Sequence, residues 1–204
     1  MVSRYLAALA VLFLLQVAPS HAQDQSFAAF TAELWKDAQA KGITRATFDT
    51  AMKGVTPDQR VINATKRQPE YGKPVGDYVN AIDSNRRVAD AQLKAREWAK
   101  TFDEVEKKFG VERWVLLALW GMESDFGTEK DRWDVFRSLA TLGYIKYRDL
   151  YFRNELLVAM QIMQNSRLPR EKMVSSWAGA MGQTQFMPTN FVDYAIDFSG
   201  DRRA

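Results

Sequence analysis

In the stretch "ALWGMESDFG" (residues 118–127), an apolar run ends in an acid, Glu123. The run covers 114–122, and its side chains are apolar on every side of a helix, with Gly121 as the interruption. A helix that is apolar all round belongs at the centre of a domain. Burying an unpaired carboxylate costs several kcal/mol. The stretch therefore predicts a buried helix whose final acid is either paired or kept for chemistry.

Helical spacing continues on both sides of this stretch. Apolar residues three and four apart predict one long helix over 88–109, which Gly110 ends. Period-two alternation, the pattern of a half-buried strand, is almost absent. Further helices are expected before Gly42, before Gly54, from Thr56-Pro57 onward, and over 111–124, 134–142 and 147–165. The stretch "RQPEYGKPVGDY" is expected to be a loop. The pattern predicts a mainly α chain, with a helical segment and loop over 23–75 and a second helical domain over 76–204.

The N-terminus has the composition of an export signal. A charged start, "MVSR", is followed by a 13-residue apolar run and then by the small residues of "APSHA". These features predict a signal peptide over 1–22, cleaved after Ala22, with an uncleaved anchor as the alternative. The chain has no Cys, so we expect neither a lipid anchor nor a disulfide. We expect a periplasmic protein.

Charge and residue usage exclude several functional classes. Without the leader the chain has 27 basic and 25 acidic residues, and no run of five like charges suggests nucleic-acid binding. The single histidine, His21, lies in the leader. A chain with neither His nor Cys has no ordinary zinc site, no Ser-His-Asp triad and no thiol nucleophile. Carboxylates are what remains for proton chemistry.

Glu123 is the strongest candidate among these carboxylates. A carboxyl group in an apolar pocket has a raised pKa and can donate a proton to a leaving oxygen, as in glycoside cleavage. The alternative is a structural ion pair with Arg137 or Arg148. Asp125 lies two residues on and cannot share the helical face of Glu123, so it is a weak second acid. The sequence does not show a carboxylate pair.

A second distinctive stretch is "SSWAGAMGQTQFMPTNF" (residues 175–191). Its glycines and alanines allow the backbone to approach a ligand or another helix closely. Gln183 and Gln185 add amide donors and acceptors, and Pro188-Thr189 restarts a helix. A substrate loop and a tight crossing between two helices both fit this composition.

The two stretches together resemble the lytic murein transglycosylase B family. "WGMESDFG" is followed some fifty residues later by "SWAGAMGQTQFMPTNFVDYAIDFSGD", and "GITRATFDTAMKGVTPDQRVINATKRQPEY" also resembles that family's N-terminal part. The resemblance runs from about Phe27 to the end, and the family's proteins are longer. It implies a lysozyme-like helical domain that acts on peptidoglycan glycan strands.

The resemblance also implies site residues and a reaction. Glu123 matches the single catalytic acid/base, and Ser176, Gln185 and Phe186 match residues that contact the sugar or position the acid. The implied reaction cleaves the β-1,4 bond between N-acetylmuramic acid and N-acetylglucosamine and leaves a 1,6-anhydro end, with no required cofactor. The rivals are a hydrolytic muramidase, an inactive peptidoglycan-binding protein and a periplasmic helical scaffold.

The family's cation loop, similar to an EF-hand, is the third match. Its ligand positions fall on Asp197, Ser199 and Asp201, with the backbone of Arg203 as a further ligand. Here Ser199 stands in place of an Asp and Arg202 in place of the turn glycine, and the closing acidic ligand lies beyond the sequence. Because calcium requires six to eight oxygen ligands, we expect weak calcium binding or none.

Overall fold

The computed structural model describes residues 20–67, 74–82, 84–128, 133–148, 150–166, 168–198 and 200, with the side chains of 20–25 and of 81 left aside. The described part is mainly α, as the sequence predicted. Its helices are α1 (Ser20–Ala40), α2 (Arg45–Met52), α3 (Gln59–Ala64), α4 (Val75–Ile82), α5 (Asn85–Glu97), α6 (Ala99–Phe109), α7 (Arg113–Ser124), α8 (Val135–Tyr144), α9 (Tyr151–Ser166) and α10 (Pro188–Tyr194). A 3₁₀ turn covers Arg170–Lys172. The strands β1 (Trp133–Asp134) and β2 (Val174–Ser175) pair antiparallel, with Trp133 opposite Ser175.

The larger hydrophobic core is built around α8 and α9. Every residue of α8 from Val135 to Gly143 is buried except Arg137. Helices α1, α2 and α3 contribute Leu34, Phe48 and Val61 to the same core. Helix α8 therefore occupies the central position that the sequence analysis assigned to α7.

Helix α7 belongs to a second, smaller cluster. Its buried residue Leu117 packs with Ala95 of α5, Phe102 of α6 and Phe126. Four of its apolar residues are each about half exposed: Trp114, Val115, Leu119 and Met122. The expectation that α7 is buried on all sides is wrong for the described chain, because the helices that mainly pack on it, α5 and α6, cover one face.

Two local expectations also need correction. The helix expected over 88–109 is interrupted at Trp98, whose ψ of 22° leaves the helical region, so α5 and α6 are separate helices. The third helix is capped by Asp58 and not by Thr56, because the Asp58 carboxylate accepts from the N–H of Arg60 at 2.9 Å. Gly110 ends α6 in the left-handed conformation, as expected.

Some expectations lie outside the described residues or stay untested. Residues 1–19 of the expected leader are not among the described residues, and Ser20–Ala22 begin α1. Val75 opens α4 inside the stretch expected to be a loop, while 68–73 are not described. The division at residue 75 stays a prediction. Within the described part, no helix is long and apolar enough to cross a membrane.

Candidate active site

Glu123 lies in the last turn of α7, and its side chain is exposed. Among the residues that the structure describes, none forms a hydrogen bond or salt bridge with its carboxyl group. The two arginines considered as partners are engaged elsewhere. Nε of Arg137 donates to the carbonyl oxygen of Thr56 at 3.1 Å, and the guanidinium of Arg148 lies 5.7 Å from the ring centre of Tyr147. The expectation of an apolar pocket around Glu123 is therefore wrong, and the alternative of an ion pair with Arg137 or Arg148 is not formed either.

A strained turn follows Glu123 directly. Asp125 and Phe126 both have positive φ, at 48° and 57°. The N–H of Asp125 donates to the carbonyl oxygen of Gly121 at 3.1 Å, and the N–H of Phe126 donates to that of Trp120 at 3.3 Å. The ring of Phe126 occupies the space where a side chain at Gly121 would lie, with its Cζ atom 2.8 Å from that Cβ position. Gly121 thus lets the turn fold back against α7.

Asp125 is buried at the centre of a cluster of polar contacts. Its Oδ2 atom accepts from Nη2 of Arg86 at 2.7 Å and from Oγ1 of Thr128 at 3.1 Å, and its Oδ1 atom accepts from Nε of Arg87 at 3.3 Å. The hydrogen bond from Arg86 is the main reason that the pKa of Asp125 lies below its ordinary value, and Arg87 and Thr128 act in the same direction. Asp125 is therefore an ion-paired carboxylate and not a second proton donor.

The segment of Ser176 forms a tight turn over α8. The N–H of Ser176 donates to the carbonyl oxygen of Ala180 at 2.8 Å, and its Oγ atom accepts from the N–H of Ala180 at 3.2 Å. Gly179 has a φ of 89°, and a Cβ there would lie 2.3 Å from Cδ2 of Leu139. The glycine lets this turn lie directly on the core.

Gln185 and Phe186 lie at the closing end of a small loop. The N–H and carbonyl groups of Met181 and Phe186 exchange hydrogen bonds of 2.8 and 3.1 Å. Gln185 has a φ of 48°, and its Nε2 atom donates to the carbonyl oxygen of Gly182 at 2.9 Å. Phe186 lines a groove of about 740 Å³ together with Phe191 of α10. The loop is therefore shaped by its own backbone and amide contacts.

One side-chain hydrogen bond joins this loop to α7. Nε1 of Trp120 donates to Oε1 of Gln183 at 2.7 Å. The amide of Gln183 also lies against Gly127, where an added Cβ would be only 2.6 Å from Oε1. The structure therefore brings the glutamine loop beside the turn that follows Glu123. Sequence reasoning singled out both stretches but not this contact.

Glu155 of α9 is a residue that the sequence analysis did not single out. Its side chain is almost fully buried. Its Oε2 and Oε1 atoms accept from the N–H and Oγ1 of Thr189 at 2.9 and 2.7 Å. This carboxylate therefore holds the start of α10, and with it the end of the loop that carries Phe186. The apolar run that follows it, residues 156–160, was the available signal.

An apolar groove of about 610 Å³ is lined on one side by α7. It lies between α4, α5 and α7, and Tyr78, Trp114 and Met122 are among its lining residues. Met122 directly precedes Glu123 in the chain. The helix that carries Glu123 therefore borders a groove that is rich in aromatic and aliphatic surface, and Glu123 itself is not one of its lining residues.

Comparison with known proteins identifies the family. The family model described as "Transglycosylase SLT domain" matches residues 26–204. The chain belongs to the transglycosylase SLT domain family. The SltB3 protein of Pseudomonas aeruginosa, solved in complex with NAG-anhNAM-pentapeptide, is 41% identical, with a TM-score of 0.81 over 87% of this chain and 47% of that one. The family resemblance inferred from the sequence is confirmed, and so is the lysozyme-like fold class.

Two further relatives are also lytic transglycosylases by name. Soluble lytic transglycosylase SltB1 of Pseudomonas aeruginosa is 28% identical, with a TM-score of 0.75 over 86% of this chain and 58% of that one. The membrane-bound lytic murein transglycosylase B of Escherichia coli K12 is 33% identical over 94 residues, which is 46% of this chain and 26% of the relative. The SLT chain thus spans between about a quarter and three fifths of the length of these relatives.

The expected cation loop of the SLT domain is only partly described. Oδ1 of Asp197 accepts from the N–H of Gly200 at 2.7 Å, which is a contact within the loop itself. Ser199 and Asp201, and the backbone of Arg203, lie outside the described residues. No group of three His, Cys, Asp or Glu residues that could hold a metal ion occurs in the described ranges. The expectation of weak or absent calcium binding stays a prediction.

Proposed function

We propose that this SLT domain is a lytic transglycosylase that cleaves the β-1,4 bond between N-acetylmuramic acid and N-acetylglucosamine in peptidoglycan. The observation that carries the proposal is the likeness to SltB3, whose structure was solved in complex with a glycan fragment that contains anhNAM. An anhydro sugar is the product type of cleavage without water. The exposed carboxyl group of Glu123, on the helix that Trp120 ties to the glutamine loop, supports the same proposal.

The first step breaks the glycosidic bond. The carboxyl group of Glu123 donates its proton to the bridging oxygen, and the bond from that oxygen to the anomeric carbon of the muramyl residue breaks. The acetamido oxygen of the same sugar bonds to the anomeric carbon and stabilises its positive charge. Such substrate assistance replaces an enzyme nucleophile, so one carboxyl group is enough.

The second step closes the anhydro ring. The Glu123 carboxylate removes the proton from the 6-hydroxyl of the muramyl residue. The freed oxygen attacks the anomeric carbon, and the acetamido group leaves it and is restored. The proton that Glu123 gave up is thus recovered, and no water is consumed. The bound glycan strand itself shields the exposed carboxyl group from water.

Ser176, Gln185 and Phe186 are proposed to bind and position the glycan. The Oγ atom of Ser176 already accepts a hydrogen bond from Ala180, and its own proton has no acceptor among the described residues. That proton is free to donate to a sugar oxygen. The ring of Phe186 provides apolar surface for a sugar face, since aromatic side chains combine a large apolar area with a rigid shape.

The proposed setting is the periplasm. We propose export with cleavage after Ala22 and no lipid anchor, because the charged start and apolar run form a signal-peptide pattern and the chain lacks Cys. The glycan strands of peptidoglycan are the proposed partner, and no cofactor is required. Calcium binding at the loop of Asp197 is proposed to be weak or absent, with a dissociation constant no tighter than about 10⁻⁵ M by calorimetry.

The test of the reaction is mass spectrometry of peptidoglycan digested with the purified chain. The proposal predicts fragments that end in 1,6-anhydro-N-acetylmuramic acid, each lighter by one water than the hydrolysis product. A parallel digest in water enriched in ¹⁸O separates the mechanisms, since anhydro ends incorporate none of the label. Labelled, reducing ends would make the chain a hydrolytic muramidase, and an undigested polymer would refute the enzymatic proposal.

A further inference from the structure

We propose that Asp125 is a positioning residue, which fixes the Glu123 turn to α4 and α5 through its bonds to Arg86 and Arg87. The proposal rests on the proposed function, in which Glu123 carries the chemistry. Asp125 makes no contact with the glycan in this account. It acts through the backbone that it shares with Glu123 and through the helices that it ties to that backbone.

The first support is that both carboxylate oxygens of Asp125 are used. Three side chains donate to them, at 2.7 Å from Arg86, 3.3 Å from Arg87 and 3.1 Å from Thr128. The single Oγ1 proton of Thr128 is shared between Oδ2 and the carbonyl oxygen of Asp125, and the bond to the carbonyl oxygen is the shorter at 2.8 Å. The Asp125 side chain is 11% exposed, while its partners Arg86 and Arg87 are 61% and 24% exposed, so the carboxylate is the sheltered member of these pairs.

The second support is the backbone conformation of the turn. Two consecutive non-glycine residues, Asp125 and Phe126, adopt the left-handed region, which glycine enters routinely, aspartate occasionally and phenylalanine rarely. Such conformations persist only where surrounding contacts determine them. The bonds to the Asp125 carboxylate are the charged part of those contacts. Because Glu123 lies two residues earlier, relaxation of this turn moves its carboxyl group.

The third support is the link to the groove. Arg87 donates through Nη1 to the carbonyl oxygen of Ile82, the last residue of α4, as well as through Nε to Asp125. Tyr78 of α4 lines the groove that Met122 borders. Asp125 therefore fixes the position of Glu123 relative to α4, the helix whose Tyr78 lines the groove. A displacement of about 1 Å between a catalytic group and its substrate can cost about a hundredfold in rate.

Asp90 provides a matched control. It accepts from the same Arg86 at 2.8 Å, but its side chain is 38% exposed, and in the described part of the chain its side-chain hydrogen bond is to Arg86 and not to α4 or the turn. Asp125→Asn keeps the volume and one acceptor oxygen while it removes the charge. Asp90→Asn makes the same chemical change on the same arginine at the surface.

The experiment measures kcat and KM of both variants on soluble, unlinked glycan strands, together with hydrogen exchange of the amides in 121–128. We expect Asp125→Asn to lower kcat by about tenfold to a hundredfold with KM changed less than about threefold, and to speed exchange in the turn. Asp90→Asn should change neither quantity. Circular dichroism at the assay temperature verifies that both variants are folded. Asp125→Glu keeps the charge, but its longer side chain cannot take the same position, so its kcat should also lie below that of the wild type.

The outcomes separate this proposal from the proposed function. An active wild-type chain with unchanged kcat in folded Asp125→Asn overturns the positioning role. Equal losses in Asp125→Asn and Asp90→Asn overturn it too. An inactive wild-type chain refutes the proposed function, and the exchange data then decide whether Asp125 holds the turn: unchanged exchange in Asp125→Asn overturns that claim as well.

Discussion

Gly179→Ala tests whether the Ser176 turn is seated on the core as the structure describes. The Cβ atom of alanine would lie 2.3 Å from Cδ2 and 2.8 Å from Cγ of Leu139, a fully buried residue of α8. Overpacking of a core typically costs about 1–3 kcal/mol. The φ of 89° adds left-handed strain of about 1–2 kcal/mol. The free energy of unfolding should therefore fall by about 2–5 kcal/mol.

Gly182→Ala is the matched control three residues along the same stretch. Gly182 has a φ of 67°, but no atom lies within 4 Å of its Cβ position. This variant has the strain of about 1–2 kcal/mol without the clash. Urea unfolding followed by circular dichroism measures both variants, and the difference between them isolates the contact with Leu139. Equal stabilities would refute the close approach of the turn to α8.

Two further predictions concern buried carboxylates. Glu155→Ala removes the acceptor of both Thr189 bonds, and hydrogen bonds to charged groups contribute about 1.5–3 kcal/mol each. Urea unfolding should therefore show a loss of about 3–6 kcal/mol, and a loss under about 1 kcal/mol would contradict the capping role. The hydrogen bond from Arg60 is the main cause that holds the pKa of Asp58 below its ordinary value. Asp58 therefore stabilises the fold above the unfolded pKa of about 3.9, and this contribution is lost as pH falls through the lower folded pKa. The stability gap between wild type and Asp58→Asn should be full at pH 7 and should close in acid, and a gap that is independent of pH would contradict the ion pair.

Much of the helical pattern was predictable from local sequence signals. Gly110 ends a helix as its position indicates, and Pro188 opens α10 at the first helical position. The burial of α7 was not predictable, because an apolar helix does not reveal which of its faces other elements cover. The break between α5 and α6 at Trp98 was not predictable, because the sequence has no proline or glycine there.

The candidate site shows the same division. The two motifs that carry Glu123 and Gln185 are recognisable in the sequence, but the contacts that arrange them are not. Asp125 meets Arg86 across a separation of 39 residues, and Trp120 meets Gln183 across 63. Such long-range pairs depend on tertiary packing, so the spacing of residues along the sequence does not predict them. For that reason Asp125 was interpreted from sequence as a weak second acid.

Glu123→Gln provides the most direct measurement of the central claim, with Glu112→Gln as its control. Glu112 is an exposed acid at the opposite end of the same helix, and its side chain makes no capping hydrogen bond. The measurement is the rate at which each purified variant releases anhydro fragments from peptidoglycan. General acid–base catalysis contributes typically about 10²–10⁴-fold, so Glu123→Gln should fall by at least a hundredfold while Glu112→Gln keeps the wild-type rate. A folded Glu123→Gln variant that retains more than about a tenth of the wild-type rate would contradict the assignment of Glu123 as the acid/base.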